Sequence, residues 1–336
     1  MLFLKLQYAL TLAHCISATV LSTARHLLPA KTIFQFNQTG TWLENIAVRP
    51  NGDLLVTMLS PTASLYTLKS PYSSTRTFSL LHTFDNVTGL LGITETSPDT
   101  FAILSITFSE TMAPVPGSSA IWGVSFDHDK LRTRKIASIP DIIVPNGITS
   151  IPGSSTVFVT DSTGGTITRC DTQTRACEVI LNNPETAPSP GSSEPTGANG
   201  IHYRCGYLYW SNSNLVSIFR IRLSEDGYPD SYAKIETVGK VNAVFIDDFA
   251  ESDDGRLWIA AGENNTVIAL QNDGFSEVVA GSLMEPTVAG CTSAAFGRTA
   301  HDLKMLYVTT NGGASAPVNG VTEPAKIVAV GTSGHI

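Results

Sequence analysis

Short apolar runs with period-two alternation, punctuated by Gly, Asp, Asn and Pro, fill this chain from about residue 30 onward. Val157-Phe158-Val159-Thr160 and Leu257-Trp258-Ile259-Ala260 are typical, and runs of this kind read as strands buried between neighbouring sheets. No stretch carries a helical period of any length. The runs come in groups of about four, and the groups recur with a period near 50 residues, the signature of a β-propeller. Six units can be laid out: about 42–82, 88–138, 144–181, 198–238, 243–280, and a sixth from about 290. Turns such as PNGD, IPGS, YRCG and SDDG precede the second strand of a unit and favour tight reversal. The sixth unit runs out of chain after three strands. Residues 31–36 (KTIFQF) are therefore predicted to supply its fourth strand and close the ring, leaving fewer exposed edges. A flat multi-sheet sandwich is the competing arrangement.

Polar residues interrupt the apolar pattern at a recurring place. Glu44 (WLENIAV), Asn146 (VPNGI), Asn199 (GANGI) and Asp247 (FIDDF) each stand where a unit begins. In a propeller the first residue of each innermost strand faces the central channel, so these four are predicted to meet at one end of it. Strand direction puts the loops between units, and those between second and third strands, on that same face. The three longest irregular stretches, about 108–119, 182–198 and 311–325, fall in those classes and are predicted pocket walls, although floppy surface insertions would look the same. Two carboxylates and two carboxamides around a channel suit a hard divalent cation such as Ca²⁺ or Mg²⁺. The plainer alternative is hydrogen bonding that only stitches the blade tops together.

Composition narrows the function classes. The chain has 336 residues, 42% hydrophobic and only 15% charged, with a net charge of −8. With no Lys/Arg cluster, this excludes a nucleic-acid surface. The N-terminus reads as a secretory signal over residues 1–24, with Lys5, an apolar stretch from about Tyr8 to Val20, and Ser22-Thr23-Ala24 as cleavage pattern; residues 25–336 then form one propeller domain. A membrane anchor is the rival reading of that stretch, and no later segment approaches the length of a membrane helix. Sequons at Asn37, Asn86 and Asn264 fit glycosylation on a secretory route. Cys170 and Cys177 bracket DTQTRA, a predicted hairpin tip where a local disulfide is plausible, while Cys205 and Cys291 either pair or are buried thiols. There is no G-x-S-x-G elbow, H-E-x-x-H or phosphate-binding glycine loop. His202 reads as a wall residue.

These residues resemble a family. From Glu44, through Asn146, Asn199-Gly200-Ile201 and Asp247 ahead of Gly255-Arg256-Leu257-Trp258-Ile259-Ala260, to Thr292-Ser293-Ala294-Ala295-Phe296-Gly297, the chain resembles the SMP-30/gluconolactonase-like six-bladed propellers over essentially its whole predicted mature length. The resemblance implies metal ligation by Glu44, Asn199 and Asp247, with Asn146 and Thr292 on the substrate side. Two departures stand out. The family's E-G-P is Glu44-Asn45-Ile46 here, and its P-D-G is Ile246-Asp247-Asp248, changes that put metal occupancy and lactonase activity in doubt. Asp248 reads as a turn residue or a support rather than a ligand.

ENIAVR, ANGIHYR, CTSAAFGRT and YVTTNGG look more like a subgroup, the propeller-type hetero-Diels-Alderases of fungal tropolone–terpenoid biosynthesis. That likeness implies an intermolecular addition between a tropolone quinone methide and a humulene-type alkene, with small-molecule substrates and no required cofactor. Asn146 and Asn199 would donate to the oxadiene, an acidic group would help form the quinone methide, and Trp42, Met58, Met112, Val115 and Val318 would offer apolar walls. The alternatives are a lactonase working through a divalent cation, and a non-catalytic binding propeller.

Overall fold

The computed structural model describes residues 27–127 and 130–333; the predicted signal segment lies outside them. Six four-stranded antiparallel sheets follow one another around an axis, and four consecutive strands build each of blades 1 to 5. Blade 1, for example, comprises Trp42–Val48, Leu54–Ser60, Ser64–Lys69 and Thr77–Thr83. Blade 6 takes three strands from the end of the chain, and Ala30–Gln35 pairs with Lys326–Gly331 as its outer strand. The ring is thus closed by joining both ends of the chain in one sheet, as its strand count predicts. Among the described residues the helical content is two single turns of 3-10 helix.

Both faces of each sheet are covered by neighbouring blades, which explains strands that are apolar throughout. In Leu54–Ser60, Leu54, Val56 and Met58 pack with Tyr307 and Ile327 of blade 6. Leu55, of opposite parity, packs with Leu90 and Phe101 of blade 2.

The innermost strands carry a device that sets up the channel. Each of blades 1, 2, 3, 4 and 6 has an irregularity in the register between its first and second strands. The residues left out of the pairing there include Glu44, Leu91-Gly92, Asn146-Gly147, Asn199-Gly200 and Thr292. A bulge bends the strand and re-aims a side chain, here toward the axis at four of these five. The glycines are required by the approach of the next blade: a Cβ at Gly92 would lie 2.5 Å from the Asn146 carbonyl oxygen, and one at Gly147 2.5 Å from that of Asn199.

Hydroxyls on the second strands satisfy the backbone that the bulges free. Thr160 accepts from the Gly147 N–H (2.8 Å) and donates to the Asn199 carbonyl of the next blade. Thr57 does the same between the Asn45 N–H (3.0 Å) and the Leu91 carbonyl (2.7 Å). Each such hydroxyl both fills a bulge and ties one blade to the next.

Candidate functional site

A cavity of about 220 Å³ opens at the end of the channel where the innermost strands begin. Glu44, Asn146, Asn199 and Asp247 all line it, with Trp42 beside them. Their convergence follows from the bulges in blades 1, 3 and 4. In blade 5 the innermost strand is short, Phe249–Glu251, and Asp247 precedes it, held by its N–H on the Ala260 carbonyl at 2.8 Å. The long loops supply the upper wall: Phe108 from 107–119, Glu194 and Thr196 from 182–197, and Ser315 and Ala316 from 311–325.

The floor is acidic, and the lining contains no Lys, Arg or His. Glu44 and Asn199 are buried, at 6% and 2% exposure. Burial pushes the Glu44 carboxyl up to about 7, partly offset by the Trp42 indole N–H that donates to it, and the Asp248 charge adds to the rise. Asp247 is raised well above the ordinary carboxylate range by burial and then by the charges of Glu44 and Asp248, with the Asn199 carboxamide pulling the other way. Near neutral pH the pair thus holds a proton that exposed carboxylates would have lost. Cys291 also lines the cavity, but burial and Asp247 push its thiol up to about 12, so it is no nucleophile.

Beneath the floor, Asp248 joins four blades. Its Oδ2 accepts from Asn45 Nδ2 of blade 1 (2.9 Å) and Ser293 Oγ of blade 6 (3.0 Å). Its Oδ1 lies 2.9 Å from His202 Nε2 of blade 4 and accepts from the Phe249 N–H of its own blade at 2.8 Å. Burial alone would raise Asp248, yet His202 and the other donors hold it below the usual range. His202 is therefore a partner of Asp248 below the cavity and does not line its wall.

The oxygen set above this tie suits a hard cation. The buried Asn199 Oδ1 has no hydrogen-bond partner, while Asn199 Nδ2 donates to Ser213 Oγ at 3.0 Å. With Glu44 and Asp247 beside it, that oxygen completes three donors of the type Ca²⁺ or Mg²⁺ takes. Among the described residues no three His, Cys, Asp or Glu side chains gather as a metal-binding group.

Several expected wall residues sit elsewhere. Met58 turns the opposite way from Leu59 by strand alternation and is core at 1% exposure; Leu59 takes the cavity position. Met112 and Val115 lie at the exposed tip of their loop, where turns Met112 N–H to Ser109 carbonyl and Val115 N–H to Thr107 carbonyl direct Phe108 inward in their place. Val318 is buried in its own loop, bridged to Val321, and Ser315 and Ala316 reach the cavity. Thr292 points below the floor, donating to the Leu43 carbonyl at 2.7 Å. Sequence reasoning missed Leu91, Val144 and Phe245, which also line the cavity. Leu91 was legible in Leu90-Leu91-Gly92-Ile93, which repeats the Asn146-Gly147-Ile148 and Asn199-Gly200-Ile201 pattern with leucine in the asparagine's place.

Cys170 and Cys177 form a disulfide across their hairpin, whereas Cys205 is exposed, Cys291 is buried, and both are free. Asn37 and Asn86 are exposed; Asn264 is partly buried and its Oδ1 accepts the Val244 N–H at 2.7 Å.

Comparison with solved structures supports the architecture alone, since identities are low. A luciferin-regenerating enzyme matches with a TM-score of 0.64 at 14% identity, over 91% of this chain and 96% of that one. A calcium-binding regucalcin from Agrobacterium tumefaciens gives 0.60 at 14%, over 92% and 96%. A structure described as a "putative gluconolactonase" gives 0.55 at 13%, over 91% and 94%. All three share the propeller architecture of this chain. No family model matches the chain. Relatives by sequence are more specific. "Putative hetero-Diels-Alderase asR5" of Sarocladium schorii is 29% identical over 326 residues, 86% of this chain and 79% of that protein. "Putative hetero-Diels-Alderase" of a Phoma species is 30% identical over 308 residues, 84% of this chain and 87% of that protein. With that identity sustained over most of both lengths, on a propeller whose axial cavity joins acid and amide groups to an apolar wall, this chain belongs to the hetero-Diels-Alderase family.

Proposed function

We propose that the protein is a biosynthetic cyclase of fungal secondary metabolism, joining a tropolone quinone methide to a humulene-type alkene by an intermolecular hetero-Diels-Alder addition. The observation that carries this reading is the axial cavity, where a proton-holding carboxyl pair and two carboxamides stand beside an apolar wall.

The chemistry divides into two steps. In the first, a protonated Glu44 or Asp247 donates to the hydroxyl of a hydroxymethyl tropolone. The C–O bond breaks, water leaves, and the adjacent ring hydroxyl gives its proton to the partner carboxylate. The exocyclic methylene and ring carbonyl are then the oxadiene. In the second step one C–C and one C–O bond form to the alkene, without a leaving group. Asn146 donates a hydrogen bond to an oxadiene oxygen, making the oxadiene a better acceptor, while Asn199, whose Nδ2 is held by Ser213, braces Asp247 beside it. The apolar wall holds the alkene and excludes water that would quench the oxadiene. Holding two reactants in register accounts for a barrier reduction of several kcal/mol, roughly the effect of high effective molarity.

A second reading, a lactonase of the gluconolactonase type, is favoured by the unpartnered Asn199 Oδ1 beside two carboxylates. Glu44, Asn199 and Asp247 would hold Ca²⁺ or Mg²⁺, which would supply Lewis-acid polarisation of a carbonyl. A non-catalytic binding propeller is the third. Chelation separates the first two: the cyclase keeps its turnover in excess EDTA, the lactonase loses it. Glu44→Gln is expected to lower adduct formation from the hydroxymethyl precursor by about 10²-fold, the scale of one general acid. Turnover abolished by EDTA and restored by Ca²⁺ would move the assignment to the metal-dependent reading.

We further propose a secretory route, with residues 1–24 removed and sugars on Asn37 and Asn86. Support comes from the disulfide Cys170–Cys177 and from the exposure of both asparagines.

A further inference from the structure

The cavity wall is divided by blade. Leu59 of blade 1, Leu91 and Phe108 of blade 2, and Val144 at the entry to blade 3 are all apolar. Leu59, Phe108 and Val144 pack against one buried cluster that contains Leu91, so they form a continuous surface. The arc from blade 4 to blade 6 presents Glu194, Thr196, Glu263, Asn311 and Ser315, with Phe245 its one large apolar residue.

Leu91 shows how the division is built. Its bulge matches those that aim Asn146 and Asn199 at the axis, so blade 2 presents leucine where blades 3 and 4 present a carboxamide. Phe108 is held in place from both sides. Its N–H donates to Thr88 Oγ1 at 2.7 Å, it bridges to Pro114, and the Thr107 N–H is fixed by Ser118 Oγ at 3.0 Å. Leu59 lies over the start of blade 2, where a Cβ on Gly89 would come within 2.6 Å of its Cδ1. A ring this asymmetric receives two dissimilar reactants in one orientation.

We infer that Phe108, Leu59 and Leu91 are the specificity-determining shelf for the alkene partner, and that the polar arc of blades 4 to 6 takes the oxygen-bearing ring. The inference rests on the cyclase reading. The shelf admits a cyclic polyene because it offers apolar area and no hydrogen-bonding side chain, whereas the tropolone oxygens would be left unpaired there. The shelf also decides which face of the oxadiene the alkene meets.

The test uses the full chain and two probes, α-humulene and 2-methylbut-2-ene, competing for the quinone methide. Wild type is expected to favour humulene. Phe108→Ala and Leu59→Ser are each expected to reduce that preference at least about tenfold, the worth of a few methylenes of apolar contact. Phe108→Trp, which fills the shelf, should shift selection toward the small alkene. Binding of humulene alone, followed by tryptophan fluorescence, should weaken in Phe108→Ala. If adducts form and all three variants keep the wild-type preference, the shelf is overturned while the cyclase assignment stands. If wild type forms no adduct, yet humulene binding still depends on Phe108, the shelf stands as an apolar ligand site and the cyclase reading fails. Equal humulene binding by wild type and Phe108→Ala contradicts the shelf in either case.

Discussion

Glu44 is a carboxyl buried away from water. Its raised proton affinity comes from burial with a second carboxyl nearby and no cation in the cavity lining. Two consequences follow from a value of about 7. The acid-promoted loss of water needs the protonated form, so adduct formation from the hydroxymethyl precursor should fall as pH rises through about 7. A preformed quinone methide should show a flatter profile. Stability has the same sign: the folded state binds this proton more tightly than the unfolded chain, so Glu44's contribution is full below about 4.5 and is lost as pH rises through about 7. Thermal unfolding of Glu44→Gln across that window should be less pH-dependent than that of wild type. An equal slope in both would remove Glu44 as its source.

At the scale of the strand, the recurring unit is a bulge closed by a hydroxyl. Thr160→Val removes the acceptor for the buried Gly147 N–H and the tie to the Asn199 carbonyl, and is expected to cost about 2 kcal/mol in denaturant unfolding. Asp248→Ala should cost more, about 3–5 kcal/mol, because it strands Asn45, Ser293 and His202 on three other blades. A loss under 1 kcal/mol would mean the hub is dispensable. The hairpin disulfide is local, and Cys170→Ala with Cys177→Ala should lower stability by only about 2 kcal/mol.

Much of this element scale was legible, because alternation marks a strand and turns such as PNGD mark the reversals. The bulges were not, since Asn146-Gly147 and Asn199-Gly200 form them whereas Asn51-Gly52 is a turn. Nor were the wall residues. Met58 and Leu59 are adjacent and both apolar, and only the parity set by pairing Leu43 with Met58 shows which one faces the cavity. Met112 and Phe108 share one loop, whose internal hydrogen bonds decide which side chain turns inward. No local pattern carries that information.

For the whole molecule, ring closure is what brings the site together. Glu44 and Asp247 lie on blades 1 and 5, and blade 6 between them depends on the strand Ala30–Gln35. Deleting residues 30–36 should expose the edge of Lys326–Gly331, lower the unfolding midpoint and promote association through that edge. Adduct formation should fall with it. The propeller itself was readable from period and strand count, and so was the meeting point of the four polar residues. Their division of labour with an apolar shelf was not, since it depends on side chains from blades 1, 2 and 3 closing into one surface.

Whether addition takes place inside the axial cavity is decided by the stereochemical outcome with hydroxymethyl tropolone and α-humulene. Uncatalysed addition of an achiral oxadiene to an achiral alkene yields a racemate, so an excess of one enantiomer reports a reaction held inside a chiral cavity. Wild type is expected to give one dominant enantiomer, and Phe108→Ala, which cuts back the shelf, to lose that excess. Racemic product at the background rate with folded wild-type protein would contradict addition inside the cavity.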